Sequence, residues 1–303
     1  MASIANFIPT IWEARFLSRL DPMYIWGSVT NRMYEGGIRM AGDTVKIPTA
    51  TTSITVRDYA VDTNIAASEK VAGSTQDLLI DKQKYYHLYV DDVDRAQATP
   101  MIMDEAMRRA AISMTKQVDE DVMNEIHTVW EAQGTGVKSA RQVKISDAWD
   151  AGDTVVGKFL MAVTKLKRIM GTHFIPDEGR WLMVHPETLE GLDNYFTSKS
   201  ASNIYTPTTS ESTLRNGFAG MLYGFSLRVN TQNPSVQQTA ANDSWQLYAG
   251  QGMESTTFAN QLTETVAYNP ELLFGSAIKG LMVYGVKCLL PSRLYTIQVK
   301  KAT

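Results

Sequence analysis

The sequence predicts an α+β fold in which a long β excursion, one long helix and a smaller unit of mixed helix and strand follow one another along the chain. Three observations predict it. An aromatic, alternating run, "DLLIDKQKYYHLYVDD" (77–92), returns from a polar stretch far too long for a tight turn. Directly behind it lies one uninterrupted helix signal of roughly thirty residues. Helix and strand signals then alternate from residue 151 to about 253, and almost only strand-like sequence follows.

The elements follow in order. A short apolar helix begins near Pro9, with Trp12, Phe16 and Leu20 at four-residue spacing, and Asp21-Pro22 stops it. Next, "GDTVKIPTATTSITV" (42–56) and 77–92 read as the two arms of one excursion around a polar tip (57–76). In the second arm Leu78, Ile80, Tyr86, Leu88 and Val90 share one face, and Asp81, Tyr85, His87 and Tyr89 the other. A strand of ~15 residues extends ~50 Å, and an isolated ribbon of two such strands is marginal in water with edges open for pairing. Its natural partner is another subunit.

The long helix takes Thr99 as N-cap and Pro100 as its first residue, with Asp104 and Glu105 at the positive end of the dipole. Met103, Ala106, Met107, Ala110, Met114, Val118, Val122, Ile126 and Val129 form its apolar stripe, and Gly134 and Gly136 end it. At ~1.5 Å per residue it is a rod of ~45 Å. A second amphipathic helix starts at Asp153 or Thr154 and closes at Gly171. "RWLMVHPETLEGLDNYF" reads as a buried strand turning into a third helix at Pro186. Ser and Thr crowd a loop over 197–213. "GMLYGFSLRVNTQNP" resumes strand character, and the tail from Met253 supplies strands that complete a sheet.

Composition limits function. The chain has 303 residues, 44% hydrophobic, with 29 Lys and Arg against 32 Asp and Glu. That describes a globular chain without a basic block to track a nucleic-acid backbone. No apolar run approaches the ~18 residues that span a bilayer, and the N-terminus lacks the pattern of a secretion signal. Cys288 is the only cysteine, which excludes an internal disulfide and a cysteine-cluster zinc site. It lies in "GLMVYGVKCLLP", the sequence of a buried strand, with Lys287 on the opposite face.

Candidates for chemistry are few. The four histidines, His87, His127, His173 and His185, are too scattered for a zinc-protease helix. His185, before Pro186 at a strand-to-helix turn, reads as a backbone-bonded or capping residue. "GFSLR" (224–228) lacks the second glycine of a nucleophile elbow, and "GQGMES" (250–255) has Ser255 where a dinucleotide loop has its third glycine and precedes strand, not helix. Asp91, Asp92 and Asp94 could hold a cation, but the glycine and distal glutamate of a calcium loop are missing. They read as a turn between strand and helix, bonding backbone N–H groups or Arg95. No catalytic, metal or cofactor site is expected.

Four stretches carry a family resemblance: the arm "FIPTIWEARFLSRL"; "YEGGIRMAGDTVKIP"; "DVDRAQATPMIMDEAMRRAAISMTKQVDEDV"; and "VAYNPELLFGSAIKGLMVYGVKCLLPSRL". In that order and spacing the chain resembles the major capsid proteins of tailed bacteriophages, the Hong Kong 97 fold, over most of its length. The resemblance implies an N-arm (1–41), an extended E-loop (42–92), a peripheral P-domain with a spine helix (93–150), an axial A-domain (151–253) and a return to the P-domain (254–303). It implies inter-subunit contacts at the E-loop tip, from Arg57, Asp58, Tyr59, Asp62, Glu69 and Lys70, and on the N-arm, from Trp12, Arg15 and Phe16.

The implied partners are further copies of the chain, in pentamers and hexamers, with a separate scaffolding protein, a portal, room for a decoration protein, and packaged double-stranded DNA bound without sequence specificity. The implied location is the virion capsid, after synthesis in the host bacterial cytoplasm. Lys70 lies where some relatives form isopeptide crosslinks, yet no partner asparagine or glutamate can be matched, so it reads as a solvated or salt-bridging contact. The subunit is expected to be lean, without a cleaved scaffolding segment before "FIPTIW" or an added module after "QVKKAT". An encapsulin-type cargo compartment is the alternative, and an unrecognised soluble hydrolase a more distant one.

Overall fold

The computed structural model describes residues 29–34, 44–50, 56–59, 61, 64, 67–68, 73–91, 101–148, 153–200, 220–231, 235–236, 244–251, 255–271 and 275–300. The arm helix expected near Pro9, the Thr99 cap and most of the Ser/Thr-rich loop fall outside them. Strands β1 (Thr44–Ala50) and β2 (Gly73–Leu79) pair antiparallel as a two-stranded ribbon. Strand β3 (Lys82–Asp91) instead joins the long hairpin of β10 (Thr256–Tyr268) and β11 (Gly275–Cys288), giving a three-stranded sheet in the order β10-β11-β3. The strand expected over 77–92 is therefore two strands, parted at Ile80-Asp81. Its alternation is real, with Leu78, Ile80 and Tyr86 buried, but it runs unbroken through the point where the chain changes partners. Periodicity reports faces and is silent about pairing.

Helix α1 (Met101–Glu131) lies on the even-numbered face of this sheet. Met107, Ala111, Met114, Val118, Val122, Met123, Ile126 and Trp130 pack there with Tyr86, Ile278, Met282 and Tyr284. From Met107 onward the stripe is the predicted one, with Ala110 and Val129 at its margins, extended by Ala111, Met123 and Trp130. Tyr86 lies directly opposite Gly280, whose missing Cβ leaves room for the ring: a Cβ there would meet it at 2.4 Å. The segment 29–34 is tacked to the free edge of β10 by Asn31, which donates to the Thr256 carbonyl and accepts from Phe258 N–H.

The helix stops at Glu131, ahead of both glycines expected to end it. Gly136 lies inside a short helix, α2 (Thr135–Arg141), which leads into β4 (Gln142–Ala148); the sequence reading had neither. Then come α3 (Asp153–Thr172), β5 (Arg180–Val184), α4 (Pro186–Ser200), β6 (Met221–Leu222), β7 (Phe225–Val229), β8 (Ser235–Val236), β9 (Ser244–Gln251) and, after a single 3-10 turn (Pro291–Arg293), β12 (Tyr295–Lys300). They build a seven-stranded sheet in the order β4-β12-β9-β5-β7-β6, with β8 on β9.

The α3 face of that sheet is one core: Val156, Phe159, Val163 and Leu166 against Leu182, Val184, Leu247, Ile297 and Val299. The opposite face, through Trp181, Met183 and Tyr248, joins the core under α1. Each fully buried aliphatic or aromatic side chain contributes about 1.5–3 kcal/mol. With both faces covered, β5 is buried throughout, which is why it reads as an apolar run without alternation. The first seven residues of β9 are buried too, but Ser244 and Gln246 interrupt its apolar sequence and the sequence reading drew no strand there. The tail after residue 254 thus serves both sheets: β10 and β11 in one, β12 between β4 and β9 in the other.

Candidate assembly surface

The ribbon is anchored at its base, and the described residues toward its tip are exposed. Ile47, Leu78 and Ile80 pack with Ala259, Val283 and Leu289 in a separate small core. Gln76 Nε2 donates to the Leu289 carbonyl at 3.2 Å and Lys287 Nζ to the Asp77 carbonyl at 2.9 Å. The fit demands a glycine at 285, where a Cβ would lie 2.4 Å from the Leu79 carbonyl oxygen. Beyond this base, of the described residues in 56–68, Val56 is 93% exposed, Tyr59 72% and Val61 79%, beside exposed Arg57 and Asp58. Three apolar side chains at that exposure have no core to serve within the subunit. Asp62, Glu69, Lys70, Trp12, Arg15 and Phe16 lie outside the described residues.

A second open surface is the odd-numbered face of the three-stranded sheet beyond the ribbon base. Tyr85 and Tyr89 are exposed on β3. His87 Nε2 is 2.8 Å from the Tyr268 hydroxyl, the two rings stack at 5.9 Å, and Lys279 Nζ sits 5.1 Å from the Tyr268 ring centre. On the other face a groove of about 660 Å³ runs between β3 and α1, lined among others by Lys84, Tyr86, Arg109 and Gln117.

The chemical candidates resolve into structural roles. Cys288 is buried, its Sγ 3.3 Å from the Ser255 carbonyl oxygen, and burial pushes the thiol up to about 12. His185 caps α4: Glu187 N–H reaches its Nδ1 at 3.4 Å, Thr188 N–H bonds its carbonyl, and its ring stacks on Trp245 at 4.4 Å. His127 Nδ1 and His173 Nδ1 each lie 2.8 Å from a tyrosine hydroxyl, of Tyr248 and Tyr295. Ser226 of "GFSLR" is a strand residue paired with Trp181. Gly250 of "GQGMES" sits in β9 beneath Trp181, where a Cβ would meet the indole at 2.6 Å. Asp91 ends β3 opposite Gly275; Asp92 and Asp94 lie outside the described residues. Among the described residues no cluster of three or more His, Cys, Asp or Glu could hold a metal ion, and no helix is long and apolar enough to cross a membrane.

One feature escaped the sequence reading. The loop after α3 holds Phe174 at φ 55 and 94% exposed, and Arg180, itself buried, grips that loop from below. A lone phenylalanine between a histidine and an isoleucine gives no sequence signal of backbone strain.

Solved structures similar to the chain include phage capsids and an encapsulin complex. Mycobacterium phage Che8 matches with TM-score 0.64 at 18% identity, covering 90% of each chain. The capsid of cyanophage P-SCSP1u matches with TM-score 0.64 at 13% identity, covering 92% of this chain and 89% of that one. The SrpI encapsulin complex of Synechococcus elongatus gives TM-score 0.54 at 9% identity, covering 88% and 86%. These likenesses establish the Hong Kong 97-like α+β fold. A comparison with curated protein sequences gives no match. The model of a family described as phage capsid protein matches residues 73–297, from β2 to the middle of β12 and well over half of the chain. The sheets, α1 and the anchored ribbon all fall in that span or flank it, and the chain belongs to the phage capsid protein family.

Proposed function

We propose that copies of this chain associate into pentamers and hexamers and close into an icosahedral shell around double-stranded DNA, each ribbon reaching over a neighbouring copy. A capsid family member is a structural protein, and shell formation by self-association is its activity. The observation that carries the finer reading is the ribbon: a base fixed by its own small core, and a tip that exposes Val56, Tyr59 and Val61 to solvent. Such a segment stabilises its own subunit little and gains by being covered.

In this reading 42–92 acts as the E-loop, with Arg57, Asp58, Tyr59, Asp62, Glu69 and Lys70 at the contact. The N-arm (1–41) adds Trp12, Arg15 and Phe16. Residues 93–150 and 254–303 form the peripheral P-domain, and 151–253 the axial A-domain. Many modest contacts, repeated on several sides of each subunit, make the closed shell stable. A formal charge of -3 suits a wall that confines DNA without gripping it. A separate scaffolding protein, a portal and a decoration protein complete the proposed set of partners, with assembly in the host bacterial cytoplasm. The family match favours the phage shell over an encapsulin compartment. Electron microscopy of the chain expressed with its scaffold tests the reading: shells that enclose DNA support it, shells filled with a cargo protein favour the compartment, and a species that never grows beyond the monomer refutes both.

A further inference from the structure

The end of α3 departs from what backbone energetics favours. Ile175 N–H bonds the Met170 carbonyl and Phe174 N–H the Gly171 carbonyl, which is the Schellman pattern, with Ile175 and Met170 buried as its apolar pair. The residue at the left-handed position of that pattern is ordinarily glycine, because a Cβ clashes there. Here it is Phe174, at φ 55, with its ring 94% exposed. Strain and exposure coincide at this one residue.

The loop is also held rigid. The buried Arg180 donates from Nε to the Pro176 carbonyl at 2.9 Å and from Nη2 to the Ile175 carbonyl at 2.5 Å, and pairs with Asp177 through Nη1 at 2.7 Å. Gln251 Nε2 reaches the Glu178 carbonyl at 3.3 Å, and His173 is fixed to Tyr295 at 2.8 Å. A buried cation spent on presenting one exposed ring describes a preorganised contact.

The chemistry of the complementary surface is on the same subunit. The loop 173–179 carries Asp177 and Glu178 and no Lys or Arg. The exposed face of α3 carries Lys165, Lys167 and Arg168, and the only acidic residue of that helix is Asp153 at its first position. Met161, 64% exposed, lies in one stripe with Lys165 and Arg168, on the side away from the core residues Val163 and Leu166. Phe174 belongs to the end of its own helix and is bare there, so it cannot be the ring that covers its own Met161.

We propose that Phe174 is a fixed knob that packs onto Met161 between Lys165 and Arg168 on the α3 helix of a second copy, with Glu178 facing those cations. Knob and socket are different surfaces, so the contact is head-to-tail and generates a ring when its rotation closes. The inference rests on the assembly reading above and names one contact within it.

The test substitutes Phe174→Gly in the full chain and measures two things. The thermal midpoint of the unassembled chain is expected to hold or rise, because glycine suits the left-handed position. Assembly followed by light scattering is expected to need about tenfold more protein, the loss typical of removing an aromatic anchor. Lys165→Glu with Arg168→Glu is expected to impair assembly in the same way, and adding Glu178→Lys to restore part of it. Unimpaired assembly of Phe174→Gly or of the double variant overturns the contact. So does a lowered midpoint for Phe174→Gly, which would assign the ring to the subunit's own stability. The wild-type chain separates this failure from the wider one: shells from wild type with equal shells from Phe174→Gly sink the knob alone, whereas no shells from wild type sink the assembly reading and the knob with it.

Discussion

His127 sits where α1 meets the seven-stranded sheet, half-buried and bonded to the hydroxyl of buried Tyr248. Burial holds its imidazole below the ordinary value, helped by Lys138 and opposed by Glu131. The sign follows: the folded chain favours neutral His127, so this contribution to stability is present above about pH 6.5 and is lost as pH falls through the lower folded value. Thermal melts between roughly pH 7 and pH 5 should show stability declining, and His127→Gln, which keeps a hydrogen-bonding group beside Tyr248, should flatten that decline. An unchanged slope would assign the acid loss elsewhere. At Cys288 a thiol reagent should react on the scale of global unfolding, not at once, because the thiol is buried and its acidity suppressed. The local reading of both Cys288 and His185 was sound because each depended only on its neighbours in sequence. His127, His173 and His87 were recognised only as unsuited to catalysis. Their tyrosine partners, Tyr248, Tyr295 and Tyr268, lie more than a hundred residues away, and nothing local names them.

Among the elements, α1 and α3 were legible because each carries an apolar stripe at helical spacing, and β5 because burial on both faces makes it a continuous apolar run. β4 was not. "QVKISDA" is short and alternating, and its only strand partner in the described sheet, β12, lies about 150 residues downstream. The ribbon was legible as a partner-seeking segment, but its second arm was drawn from 77 to 92, whereas β2 begins at Gly73 and ends at Leu79, and β3 continues the pattern of β2 while pairing elsewhere. Two substitutions test this division of labour. Gly285→Ala should destabilise the subunit by about 1–3 kcal/mol, because its Cβ meets backbone at Leu79 that cannot give way without lifting the ribbon base. Denaturant unfolding would read it. Replacing 57–72, which stops short of β2, with a Gly-Asn turn should leave circular dichroism and the melt nearly unchanged, since the exposed tip serves no internal core. Shells should fail or be unstable in electron microscopy; normal shells would reduce the tip to an ordinary surface loop.

At the scale of the whole molecule the two sheets are not independent. Trp130 of α1 meets Tyr248 of β9 edge-on at 6.4 Å, and Trp181 and Met183 join the core beneath that helix. Unfolding should therefore be a single cooperative transition by calorimetry, and two separable transitions would contradict the shared core. A chain stopped at Leu290 should lose that transition altogether, because β12 lies between β4 and β9 and supplies Tyr295, Ile297 and Val299 to the core. The position of β12 also sets a clock on biosynthesis. Every other strand of the seven-stranded sheet is made before it, and at ~5–20 residues per second β4 waits on the order of ten seconds for the strand that holds it. Until residues 295–300 arrive, β9 shows a bare edge and the unit has no finished sheet. A ribosome that stalls late in the message thus releases a chain unable to fold, and such a chain cannot take a place in a lattice where one faulty subunit would weaken the wall.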